Sequence, residues 1–114
     1  MITITKTDIS ITRGDTAYIN FALTDSTGTA VVLQANDRVR CQVRDRDTDG
    51  ELLFEGEMSY ANNAITWHIR PEDTADAAPG TYYWDAQLEY VNGDVYTFVP
   101  VSRFTVLPEI TVAE

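Results

Sequence analysis

Apolar and polar residues alternate with a period of two along most of this chain. The segment 38–44 places three apolar residues on one side and four polar or charged residues on the other. The same alternation recurs in three further segments, which are 17–24, 65–70 and 82–90. Strict alternation indicates strands with one packed face and one solvated face, and therefore antiparallel sheets.

Residues that favour turns separate these segments at regular distances. The turn strings are Arg13-Gly14-Asp15, Asp25-Ser26-Thr27-Gly28, Asp47-Thr48-Asp49-Gly50, Asn62-Asn63 and Asn92-Gly93-Asp94. Residues 95–107 are rich in Val, Tyr, Phe and Thr, which suits further strands. A helical turn is expected only from Pro71 to Ala77, where proline begins it. Seven to nine short strands at this spacing predict an all-β, antiparallel, two-sheet immunoglobulin-like sandwich, with residues 1–114 forming one domain.

Aromatic residues supply the bulk of the predicted core. Trp67 and Trp84 both fall on inward positions of their strands. Tyr82 comes two residues before Trp84 and just after a Pro-Gly turn, which is where a corner tyrosine holds a loop in immunoglobulin-like domains. Cys41 is the single cysteine, so it has no internal disulfide partner and is expected to act as a small core residue. A lone thiol fits a protein made in a reducing cytoplasm.

The charge balance argues against two classes of partner. The chain has 18 acidic and 8 basic residues and a net charge of −10. Nucleic acid is not expected as a partner, because phosphate binding depends on basic side chains. No apolar run approaches the roughly 18 residues that a membrane span requires, so no membrane partner is expected. The first six residues also lack the features of a secretory signal.

No grouping of residues predicts catalysis or a cofactor. His68, the only histidine, falls on an outward position of its strand, where a polar residue usually just solvates the sheet. The sequence has no Ser, His and Asp grouping, no phosphate-binding glycine loop and no cysteine pair. We therefore expect no enzyme, no catalytic residues and no bound cofactor.

An acidic string between two predicted strands has the spacing of half a calcium-binding loop. Asp45, Asp47 and Asp49 alternate before Gly50, as the first ligands of such a loop do. The position of the closing glutamate is Gly56, however, and the flanking segments are strands. Asp and Gly are also the residues that hairpin turns select. The string is therefore an acidic hairpin turn or a calcium site formed by the three aspartates.

Arginines crowd one predicted strand. Arg38, Arg40 and Arg44 share the outward face of segment 38–44. One interpretation pairs them across strands with Asp85 and Glu89, each exposed pair contributing at most about 1 kcal/mol. The other places them in a protein interface, where arginine is enriched and lysine depleted. Outward tyrosines add aromatic surface that a partner covers. The interface candidates are Arg38, Arg40, Arg44, Tyr18 and Tyr83.

Several strings, taken in order, resemble a known family. They are Ile11-Thr12-Arg13-Gly14-Asp15-Thr16, Phe21-Ala22-Leu23-Thr24-Asp25 leading to Gly28, Val39 through Arg44, Ile65-Thr66-Trp67, Glu72-Asp73-Thr74, Gly80-Thr81-Tyr82-Tyr83-Trp84-Asp85-Ala86-Gln87-Leu88 and Phe104-Thr105-Val106. Their order and spacing over residues 9–112 resemble the immunoglobulin-like domain at the N-terminus of tailed-phage baseplate upper proteins. They also resemble small standalone phage or prophage structural proteins.

The resemblance implies a non-enzymatic virion component, made in the bacterial host cytoplasm, that acts as a tail or baseplate connector, adaptor or decoration protein. Its partners would be other virion structural proteins and further copies of itself. A second hypothesis is a bacterial immunoglobulin-like module that recognises carbohydrate or a surface protein. Exposed strand edges are natural pairing templates, and the candidate edges are Ile2 to Thr5 and Val95 to Val99.

Overall fold

Short strands account for most of the chain in the computed structural model, which describes residues 7–24, 27–46, 49–61 and 64–110. The elements found there are β1 Ile9–Thr12, β2 Ala17–Ala22, β3 Arg38–Arg44, β4 Leu52–Ala61, β5 Ala64–Ile69, α1 Pro71–Thr74, β6 Gly80–Glu89 and β7 Val95–Leu107. None of the helices in these ranges is long and apolar enough to cross a membrane.

The strands form two layers that share β4. Hydrogen bonding runs in the order β1-β7-β6-β3-β4-β5-β2. Residues 52–56 of β4 pair with β3, and residues 57–61 pair with β5. The chain therefore folds as a five-stranded sheet, made of β1, β7, β6, β3 and the first half of β4, packed against a three-stranded sheet. This is the immunoglobulin-like two-sheet sandwich that the alternation predicts.

One strand pair departs from the predicted antiparallel arrangement. β1 lies parallel to the end of β7, with Ile9 opposite Phe104 and Thr12 opposite Leu107. Alternation reports which face of a strand is buried, and it carries no information about the direction of a neighbour. The first strand therefore borders the last one, and it covers only the final third of β7.

The interior is built from aromatic rings in the predicted positions. Trp67 and Trp84 are 0% and 2% exposed, and their ring centroids lie 4.8 Å apart. Phe104 contacts the Trp67 ring at a centroid distance of 5.8 Å. Cys41 is buried beside them, as expected of a small core residue. Because aromatic rings bury large areas, this cluster supplies the core that a disulfide bond reinforces in antibody domains.

The corner between α1 and β6 is held by side chains. Tyr82 donates a hydrogen bond from its hydroxyl to the carbonyl of Ala78 at 2.8 Å, which is the predicted role of a corner tyrosine. The helix is shorter than the predicted span from Pro71 to Ala77. It ends at Thr74, whose hydroxyl accepts a hydrogen bond from the Gly14 N–H at 2.9 Å. The turn between β1 and β2 is thereby fixed against α1.

Candidate docking site on the five-stranded sheet

A groove of about 300 Å³ lies on the outer face of the five-stranded sheet. Strand register brings its walls together, because β3 and β6 are antiparallel neighbours and Gln42 lies opposite Asp85. The pairing of β6 with β7 shifts register on both sides of Ala86, so β7 is irregular beside the groove. The residues that line it with outward or exposed side chains are Arg40, Gln42, Arg44, Arg46, Tyr83, Asp85, Gln87 and Val101.

Three of the five interface candidates meet in this groove. Arg40 and Arg44 project from β3, and Tyr83 lies directly opposite Arg44 on β6. Arg38 lies on the same sheet, at the start of β3 and opposite Glu89. Tyr18 is on the other sheet, where it is 64% exposed and stacks on the His68 ring at 4.4 Å. Four of the five candidates therefore lie on one sheet and Tyr18 lies on the other, and their role in an interface stays a prediction.

Most of the arginine row is already engaged within the chain. Arg40 donates to the carboxylate of Glu55 at 2.9 Å and lies 3.8 Å from Glu89. Arg38 lies 3.7 Å from the same Glu89 oxygen. The hydrogen bond from Arg40 lowers the pKa of Glu55 below its ordinary value. Ion pairing was therefore predicted correctly for Glu89, whereas Glu55 is a partner that strand alternation alone did not identify.

Arg44 is held by uncharged groups. Its guanidinium donates to the Gly50 carbonyl at 2.9 Å and to the side-chain oxygen of Gln42 at 2.7 Å. It is thus fixed between the β3–β4 turn and the wall of the groove. Because both acceptors are neutral, Arg44 keeps its full positive charge at the surface of the sheet.

Asp85 lines the groove without the ion pair expected of it. Its carboxylate makes no hydrogen bond to any residue that the structure describes, and no described arginine pairs with it. Burial raises the pKa of the Asp85 carboxyl, and the positive charge of Arg44 acts in the opposite direction. A half-buried carboxylate with unfilled acceptor sites is a binding group for a hydrogen-bond donor.

Charges on this face nearly balance, although the whole chain has a net charge of −10. Arg103 extends the face on β7, opposite Tyr83, and its side chain makes no contact with a charged group among the described residues. Its backbone N–H donates to Asp8 at 2.9 Å. The charged side chains at this face include Arg38, Arg40, Arg44 and Arg103 against Glu55, Asp85 and Glu89, together with Arg46, which lines the groove and pairs with Asp45.

The single cysteine lies beneath this face and takes no part in it. Cys41 is 1% exposed, with its side chain in the core. Burial raises the pKa of its thiol to about 12. The thiol is therefore protonated at neutral pH, and a protonated thiol is neither a nucleophile nor a metal ligand.

The acidic string closes the β3–β4 turn. Asp45 accepts a hydrogen bond from the Glu51 N–H at 2.8 Å, so one of its carboxylate oxygens is used within the turn. Asp49 has a φ of 53°, in the left-handed region that turns require. Asp47 lies outside the described residues. Within the described ranges no three His, Cys, Asp or Glu side chains cluster as metal ligands do, and calcium binding by Asp45, Asp47 and Asp49 stays a prediction.

The first part of β7 is a strand edge. β1 pairs only with Phe104–Leu107, so no described strand covers the edge of β7 before that point. Val95 and Tyr96 are both exposed there. The segment from Val95 to Val99 is therefore a strand edge that no described strand covers, and its use in pairing stays a prediction. The other candidate edge, Ile2 to Thr5, is outside the described residues.

Solved structures resemble this chain in fold at low sequence identity. No model of a known protein family matches the sequence, and no curated protein matches it either. The structure of CopC from Methylosinus trichosporium OB3b is similar at 12% identity and a TM-score of 0.53, over 93% of this chain and 89% of CopC. Murine CRIg is similar at 11% identity and a TM-score of 0.42, over 94% of this chain and 97% of CRIg. The likeness to CopC concerns the sandwich alone.

Proposed function

We propose that this chain is a non-enzymatic structural protein of a tailed-phage or prophage virion, and that it docks on protein partners through the outer face of the five-stranded sheet. One observation carries the docking role: a groove on a nearly neutral face gathers Arg40, Arg44 and Tyr83 around the unpaired carboxylate of Asp85. The virion assignment rests on the sequence resemblance to baseplate upper proteins.

The face is suited to docking because its long side chains are already ordered. Glu55 holds Arg40, while Gln42 and Gly50 hold Arg44. Binding therefore costs less side-chain entropy than it would with free arginines, whose immobilisation costs about 0.5–1.5 kcal/mol each. Tyr83 supplies an aromatic surface at the centre, where interfaces concentrate their binding energy.

The alternative, a module that binds carbohydrate or a surface protein, would be favoured by aromatic side chains gathered on one exposed rim. The two tryptophans are buried in the core. The exposed Tyr18 and the groove residue Tyr83 lie on different sheets. These positions give no specific support to the alternative, and we retain assembly as the proposed function.

The test uses particles released after prophage induction in the strain that carries the gene. Mass spectrometry of purified particles is expected to detect the chain as a stoichiometric component. Val101→Arg places a charge in the groove and is expected to reduce incorporation at least about 10-fold, which corresponds to about 1.4 kcal/mol of lost binding. Ser59→Arg adds the same charge to an exposed strand position of the three-stranded sheet and serves as the matched control. Absence from the particles would refute the virion role, and equal incorporation of both variants would refute the docking face.

A further inference from the structure

We infer that the partner at the outer face is a second copy of this chain, in a two-fold symmetric dimer in which Asp85 of each copy binds Arg103 of the other. This inference rests on the proposed docking role of the face and names its partner. A two-fold interface sets the same patch of both copies against itself, so the patch has to be self-complementary.

Asp85 and Arg103 provide that complementarity. They have opposite charges and lie on the neighbouring strands β6 and β7 of one face. Asp85 has no hydrogen-bond donor, and the Arg103 guanidinium has no acceptor, among the described residues. They do not satisfy each other within one copy, since the charge that acts on Asp85 is that of Arg44. A two-fold dimer would contain two such Asp85–Arg103 pairs, one on each side of the symmetry axis. Both would be shielded from water by the interface, where guanidinium–carboxylate contacts are strong.

The charge distribution favours this face for self-association. Two copies of a chain with a net charge of −10 repel each other wherever acidic surface meets acidic surface. On the outer face of the five-stranded sheet, arginines stand beside carboxylates: Arg38, Arg40, Arg44 and Arg103 against Glu55, Asp85 and Glu89, with Arg46 at the groove paired with Asp45. Contact through this face therefore brings opposite charges together as well as like charges.

The size of the face is sufficient for a specific but modest dimer. Five strands at the usual spacing are about 19 Å across, and a ten-residue strand such as β6 is about 33 Å long. Each copy thus presents about 600 Å², and the pair would bury about 1,200 Å², at the lower end of specific interfaces. Tyr83 and Val101, which is 56% exposed, lie where such an interface requires apolar contact.

The test is a charge exchange followed by sedimentation equilibrium of the full chain. Wild type is expected to dimerise with increasing concentration. Asp85→Arg and Arg103→Asp are each expected to weaken dimerisation at least about 10-fold, because each places like charges in contact across the interface. The double variant exchanges the two charges in both copies, so it is expected to return the dissociation constant to within about threefold of wild type. Ser59→Arg is the control and is expected to dimerise like wild type.

Several results would overturn the inference. One is a wild-type chain that stays monomeric up to about 1 mM, a concentration that corresponds to a binding free energy of only about 4 kcal/mol. The others are single variants that dimerise like wild type, and a double variant whose dissociation constant does not return toward that of wild type. An independent measurement on wild type alone guards against variants that fail to fold. Amide NMR shifts are expected to change with concentration at Gln42, Asp85 and Val101 and to stay constant at Ser59. Changes confined to Ser59 and its neighbours would also overturn the inference. A monomer that is nevertheless found in particles would refute this dimer and leave the virion role standing.

Discussion

Gly56 marks the point where the backbone of β4 passes closest to the core. A Cβ atom at this position would lie 2.0 Å from the Cys41 sulfur and 2.6 Å from the Trp67 indole nitrogen. Neither neighbour has room to move, because both side chains are buried among aromatic rings. Only glycine, which has no side chain, therefore fits at this position. β4 also changes from one sheet to the other here.

We predict that Gly56→Ala lowers the free energy of unfolding by at least about 2 kcal/mol, because overpacking a dense core displaces its side chains. Urea unfolding followed by tryptophan fluorescence measures the loss. Combining it with Cys41→Ala removes the sulfur from the collision, and we expect the double variant to recover part of the stability. Strictly additive effects of the two substitutions would contradict this explanation.

At the scale of single residues, the sequence predicted which face of a strand each side chain lies on, but not which residue it contacts. Alternation placed Cys41, Trp67 and Trp84 in the core, where they are found. It left Asp85 paired with the arginines and did not identify Glu55, because ion pairs depend on strand register. The β3–β4 register shifts between Val43 and Arg44, and the alternation within one strand does not say which residue of the next strand lies opposite.

At the level of elements, Asp37 joins three parts of the fold. Its carboxylate accepts hydrogen bonds from the Gln34 N–H at 2.8 Å and from the Val91 N–H at 3.0 Å. Its own carbonyl accepts a hydrogen bond from the Tyr60 hydroxyl at 2.6 Å. The loop before β3, the β6–β7 turn and the end of β4 are thereby held together around one buried carboxylate.

We predict that Asp37→Ala lowers the free energy of unfolding by about 2–4 kcal/mol. Two backbone N–H groups lose a charged acceptor, and removal of the carboxylate leaves a cavity beside them. Tyr60→Phe removes only a hydroxyl from the same junction and is expected to cost about 1 kcal/mol. Urea unfolding of both variants measures the difference. Equal losses in the two would show that the carboxylate contributes nothing specific.

The elements themselves were largely predictable, while their connections were not. Predicted segments such as 38–44 and 82–90 agree with β3 and β6 to within two residues, because alternation and turn residues are local signals. The division of β4 between two sheets and the parallel pairing of β1 with β7 depend on contacts between distant segments. The alternation of apolar and polar residues within a single strand gives no information about either feature.

For the whole molecule, Arg13 and Glu109 connect the beginning of the fold to its end. The Arg13 guanidinium donates to both carboxylate oxygens of Glu109, at 2.9 and 3.0 Å from Nε, and also to the carbonyl of Ala77 at 3.1 Å. The hydrogen bond from Arg13 is the main reason that the pKa of Glu109 lies below its ordinary value. A carboxyl whose pKa is lowered by folding stabilises the protein above its unfolded pKa and loses that effect as pH falls.

We predict that Glu109→Gln lowers the urea midpoint at pH 7 and that the difference from wild type shrinks as the pH falls below about 4, where a free glutamate is half protonated. The double variant Arg13→Glu with Glu109→Arg again pairs opposite charges, so its urea midpoint at pH 7 is expected to lie between those of Glu109→Gln and wild type. A difference that is the same at pH 7 and pH 3 would show that the carboxylate charge is not its origin.

At this scale the sequence predicted the fold class, and its choice of an interface face stays a prediction. Composition and alternation were sufficient for a two-sheet sandwich, because burial of apolar surface is nearly independent of detailed register. The groove could not be predicted, since it depends on how β3, β6 and β7 are aligned, including the register shifts between β6 and β7 around Ala86. Tyr18 was included among the interface residues because alternation gives outward positions without saying which sheet they belong to.

The parallel pairing of β1 with β7 also has a mechanical consequence. Because β1 is the first described strand and β7 the last, opposite forces applied at Thr7 and Ile110 would slide the two strands along each other. Their hydrogen bonds would then carry the load together, whereas in a hairpin pulled apart at its open end they break one after another. A sandwich tied in this way resists stretching along its length.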